Sequence, residues 1–167
     1  MSRSGRAARI LLRVLVSRDG VSMACLYHFT PRGLMRFLGV KEFKVVDFET
    51  QFSDGTFACT TNAEMAGKLD FPAVIDAFYL PSVTPIETVL QAHEQRVAGY
   101  LAKCPGVQPV RVGTVEEVRR AQDEMQRLKA RHWQDAGLSE QELQRLGIVS
   151  LRAGIQRQHE QHNRKAA

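Results

Sequence analysis

Cys59, His93 and the acids Asp47 and Asp76 are the residues from which this chain could assemble a reaction centre. A thiolate activated by an imidazole, with a carboxylate orienting the ring, is the chemistry of a small cysteine-dependent hydrolase or transferase. The context of each residue weakens that reading. Cys59 lies in an alternating run that turns it inward, and no strand–turn–helix elbow exposes it. His93 lies on the apolar stripe of a helical pattern, where a lone histidine is more often a hydrogen-bonded core residue than a catalytic one. Cys59 and His93 are therefore weak catalytic candidates.

Metal and phosphate chemistry have less to build on. His93-Glu94-Gln95-Arg96-Val97 starts like a zinc-protease helix but has no second histidine at the fourth position. His159 and His162 stand one helical turn apart in a polar tail, an adventitious metal site at best. Asp47 and Glu49 share one face of a strand, with Asp54 at the adjoining turn, and the wet face of a hairpin is the ordinary place for acids. Neither G-x-G-x-x-G nor a Walker A loop is present. No metal and no cofactor are expected. The three cysteines, Cys25, Cys59 and Cys104, form no C-x-x-C pair and read as reduced thiols of a cytosol-like compartment.

The charge is placed at the ends. The first 20 residues carry Arg3, Arg6, Arg9, Arg13 and Arg18 against Asp19 alone. Residues 152–167 carry Arg152, Arg157, Arg164 and Lys165 against Glu160. The whole chain has net charge +5, so its centre is close to neutral. A protein that reads DNA with its folded surface needs its basic residues in the body, and no specific DNA binding is expected. Three organisational segments follow: a basic N-terminal arm over 1–20, a single α+β domain over 21–151, and a basic polar tail over 152–167. The arm reads as a docked helix or strand, an amphipathic membrane- or partner-binding segment, or an organellar targeting sequence over 1–18. No run approaches the ~20 apolar residues of a membrane span.

The elements that must position these groups change period midway. Val21–Phe29 alternates as a strand, and Thr30-Pro31 starts a short helix that Gly39 stops. Residues 44–61 form the clearest unit, a hairpin turning at Ser53-Asp54-Gly55. A tight turn there puts Phe48 and Phe52 on the same face as Phe57 and Cys59, with Asp47 and Glu49 on the wet face. A polar connection over 62–72 leads to another strand over 73–80. Val107–Val112 reads as a possible edge strand. Three capping boxes, opening at Thr84, Thr114 and Ser139, start helices. Strands first and helices second make an α+β fold, an antiparallel sheet covered by C-terminal helices. Trp133, the lone tryptophan, is a core cap or a partner anchor.

The expected function is a non-catalytic accessory or protein-interaction domain, docking through Arg3, Arg6, Arg9, Arg13 and Arg18 onto a protein partner or an anionic membrane surface. An RNA- or ribosome-associated protein using the basic arms is one alternative, and the cysteine-dependent enzyme is the other. The expected location is cytoplasmic, with organellar import or a peripheral membrane position as alternatives.

Overall fold

A computed structural model of the chain describes residues 8–31, 33–39, 41–63 and 71–139. The chain divides into two compact units, Met1–Val118 and Arg119–Ala167. The first holds a five-stranded sheet in the order β1-β2-β3-β4-β5. Its strands are β1 (Ala8–Val16), β2 (Met23–Pro31), β3 (Phe43–Gln51), β4 (Phe57–Thr61) and β5 (Ile75–Tyr79). A one-turn helix α1 (Leu34–Phe37) joins β2 to β3, and α2 (Ile86–Lys103) packs over β3 and β4. A third helix, α3 (Val115–Asp135), begins in the first unit and runs into the second. The architecture is α+β. The sheet is mixed, because β5 runs parallel to β4 while the other pairs are antiparallel.

From Ala8 on, the segment expected to be an arm is a strand of the sheet. β1 pairs antiparallel with the full length of β2, from Ala8 opposite Pro31 to Val16 opposite Met23. The run Ile10, Leu12, Val14, Val16 is aliphatic at every second residue, the period of a strand. Residues 1–7, and with them Arg3 and Arg6, lie outside the described residues.

The central hairpin forms, but its faces differ from expectation. Glu49 stands opposite Cys59 and Gln51 opposite Phe57. Phe57 and Cys59 therefore share a face with Asp47 and Glu49, not with Phe48 and Phe52. The cause is loop length. The Phe52 N–H donates to the Thr56 carbonyl at 2.8 Å, leaving three loop residues, Ser53, Asp54 and Gly55, where a two-residue turn would have shifted the register by one. Gly55 takes the left-handed φ of +86° that such a loop needs. Both faces of this half of the sheet are buried: Thr50 is 0 % and Glu49 2 % exposed. The wet face expected for Asp47 and Glu49 is thus not there.

Helix ends show which signals carry weight. At Thr114 the capping box is complete: the Glu117 N–H donates to Thr114 Oγ1, and Glu117 Oε2 accepts from the N–H groups of Gly113 and Thr114. At Thr84 it is not, since α2 starts after Pro85 with no side-chain cap. Gly137 (φ +89°) closes α3, with Leu138 N–H to the Trp133 carbonyl and Gly137 N–H to the Gln134 carbonyl. Residues 107–112 form no strand; one bridge joins Pro109 to Phe52. The third box, at Ser139, and most of the 62–72 connection extend beyond the described residues.

Candidate functional site

On the α2 side of the sheet, β3 and β4 present Thr50 and Thr60 to the one histidine of α2. Val46 and Phe48 of β3 pack against Val89, and His93 lies one helical turn further along the same stripe. Its Nε2 is 3.0 Å from Thr50 Oγ1 and its Nδ1 is 3.2 Å from Thr60 Oγ1. Ser22 Oγ extends the chain to Thr50 at 2.8 Å. Arg96 closes the other end: its Nη1 donates to Thr60 Oγ1 (2.9 Å) and to the Cys59 carbonyl (2.6 Å). Its Nη2 donates to the Asp76 carbonyl at 2.9 Å and pairs with the Asp76 carboxylate at 2.6 Å.

This network satisfies a buried imidazole and leaves it nothing to react with. His93 is 0 % exposed, so no substrate reaches it. Burial, helped by the nearby Arg96 cation, pulls its pKa down to about 4. The ring is neutral at pH 7, and a neutral ring offers one donor and one acceptor, matched here by two hydroxyls that can take either role.

Cys59 is buried as expected, yet it lies across the sheet from His93. Thr60 faces the histidine, so its neighbour Cys59 faces the other way. There it joins Cys25 and Glu49, and the Cys25 thiol points at Glu49 Oε2 across 3.9 Å. Asp47 is on that second face too, and Asp76 is engaged by Arg96, so neither orients the His93 ring. The catalytic pair is not assembled. None of the three cysteines forms a disulfide. Among the described residues, no group of three His, Cys, Asp or Glu side chains is placed to hold a metal ion. Asp54 serves the hairpin, accepting from Tyr100 Oη at 2.6 Å, a bond that lowers its pKa, and from the Thr56 N–H at 3.0 Å.

An open site lies at the other end of the same face. α2 covers β3 and β4 and stops short of β1. Cross-strand partners share a face, so Val46, Leu26 and Arg13 line up across three strands beside the start of α2. Val46 and Leu26 floor a groove of about 380 Å³, with exposed Arg13 at its rim, flanked by Leu11, Lys44 and Ile86. Leu11 and Leu15 of β1 are 39 % and 54 % exposed, and among the described residues no carboxylate lines the groove. His28 at its edge is held by Glu42 at 2.5 Å.

Of the expected binding residues, Arg13 is an exposed wall of this groove and Arg18 is exposed in the β1–β2 turn. Arg9 is a β1 residue opposite Thr30. Trp133 is buried in α3, 5 % exposed, and gives a partner little of its ring to grip. Sequence reasoning passed over Thr50, Thr60 and Arg96. A polar residue within each of two facing apolar stripes was the signal that could have paired Thr50 with His93. No helix among the described residues is long and apolar enough to cross a membrane. No family model, curated protein or solved structure matches the chain.

Proposed function

We propose that the chain is a non-catalytic protein-interaction module whose partner docks in the groove between β1, β2 and the start of α2. The observation that carries this reading is the groove: an apolar floor of Leu26 and Val46, rimmed by Arg13 and Lys44, beside the start of α2. A contiguous apolar patch with a polar rim is the usual mark of a docking surface. The sealed state of His93 supports the non-catalytic half of the proposal, because the histidine offered as a catalytic candidate has no access to solvent.

The test places a photo-crosslinking side chain at Leu11 and, as a control, at exposed Lys103 at the far end of α2. Irradiation in the source cells is expected to give one discrete protein adduct from position 11 and none from position 103. Adducts only with lipid or RNA from position 11, or the same smear from both positions, would contradict the reading.

A further inference from the structure

We infer that the partner is an acidic, β-forming segment that adds to the outer edge of β1, beside the groove, as a sixth strand; the inference rests on the docking reading above and extends its surface from the groove to that edge. β1 is the last strand in the sheet order, and among the described residues nothing pairs with its outer side. The Ser17 N–H donates to the Ser22 carbonyl at 2.8 Å, so residues 17 and 22 are a hydrogen-bonded pair. Antiparallel pairs alternate. Leu15, Arg13 and Leu11 therefore spend their backbone groups on β2, and Val14, Leu12 and Ile10 turn theirs outward. The strand is nine residues long and contains no proline. Such an edge is a ready template for another strand.

Charge selects the occupant. Arg13 is exposed on the groove face between Leu11 and Leu15, Lys44 stands nearby, and β1 contains no acid. A strand laid beside β1 places a side chain directly against Arg13, and a carboxylate there gains a cross-strand partner while a cation is repelled. That disfavours a second copy of this chain, since two antiparallel β1 strands bring their Arg13 side chains opposite or diagonal on one face with no acid to offset them. It also disfavours the chain's own residues 152–167, which carry four basic residues against Glu160. An incoming segment with apolar residues against Leu11 and Leu15 and an acid between them meets every requirement of the edge.

The experiment uses the full chain and three synthetic peptides of about nine residues. One alternates valine and threonine with a central glutamate, its counterpart has lysine there, and the third is the glutamate peptide N-methylated at alternate residues, made in both parities. The glutamate peptide is expected to bind at least about tenfold more tightly than the lysine peptide. N-methylation is expected to abolish binding in one parity and leave it in the other, because only one parity faces β1. In the Arg13→Glu chain the preference for glutamate reverses; the methylated peptides make the same test on the unaltered chain. Equal binding by both methylated forms would overturn strand addition, and no binding by any peptide would overturn the inference. The crosslink at position 11 decides the docking reading separately. A dimer in sedimentation that Leu12→Pro dissolves would also overturn it, by giving the edge to a second copy.

Discussion

Two regions of the sheet, its inner strands β3 and β4 and its edge strand β1, break the usual rule of apolar inside and polar outside, in opposite directions. At β3 and β4 polar side chains are inside: Thr50, Thr60, His93 and Glu49 are all buried. At β1 apolar side chains are outside, with Leu11 and Leu15 exposed. The buried polar groups under α2 are joined to one another by hydrogen bonds, which is what makes their burial tolerable and what fixes the helix on the sheet. The exposed apolar groups have no such compensation within the described residues. One region is closed and uses its unusual residues in structure; the other is open and is the surface proposed for a partner.

The largest effect is expected at His93. Replacing it with alanine removes a buried ring and strands the hydroxyls of Thr50 and Thr60, and we expect a loss of about 3 kcal/mol in denaturant unfolding. A loss below about 1 kcal/mol would mean the network is not what closes that region. The same residue makes the closed region acid-sensitive. Its folded pKa of about 4 lies below the 6.5 of an unfolded histidine. The folded state thus binds fewer protons in between, and stability present above pH 6.5 is lost as the pH falls toward 4. The loss is on the order of 3 kcal/mol at most. The His93→Gln chain should lack this slope, and an unchanged slope would assign it to the carboxylates. A smaller effect is expected at the hairpin loop. Gly55→Val places a β-branched residue at φ +86°, at about 1–2 kcal/mol. An unchanged melting temperature would remove the three-residue loop from the account.

How much of this was legible before the structure follows from what each feature depends on. Alternation and a Ser-Asp-Gly turn suffice to place the hairpin over 44–61. They do not set its register, because adding one loop residue exchanges the faces of every side chain on the returning strand, as happened to Phe57 and Cys59. The alternation Ile10, Leu12, Val14 and Val16 encodes β1, but Arg9, Arg13 and Arg18 give the same segment the composition of a basic arm. The Thr114 capping box was readable because both of its bonds are local; the one at Thr84 failed because Pro85 took the cap position. The groove was not readable at all. It depends on which strands α2 covers, and no local pattern encodes that.

The smallest stability effect is expected at the open region. Leu15→Ser should change the unfolding free energy by no more than about 0.5 kcal/mol, as for a surface residue, while weakening the glutamate peptide measurably. A loss of 2 kcal/mol would show that Leu15 is core and that the two regions are alike.

Amide hydrogen exchange along β1, read by NMR on the isolated chain, tests the open region most directly. Protection is expected to alternate: Leu11, Arg13 and Leu15 exchange slowly because β2 holds their N–H groups, and Leu12 and Val14 exchange fast because theirs face water. Adding the glutamate peptide should slow the second pair and leave the first unchanged. Uniform slow exchange from Leu11 to Leu15 in the isolated chain would contradict the account, since it would mean that the edge is already covered.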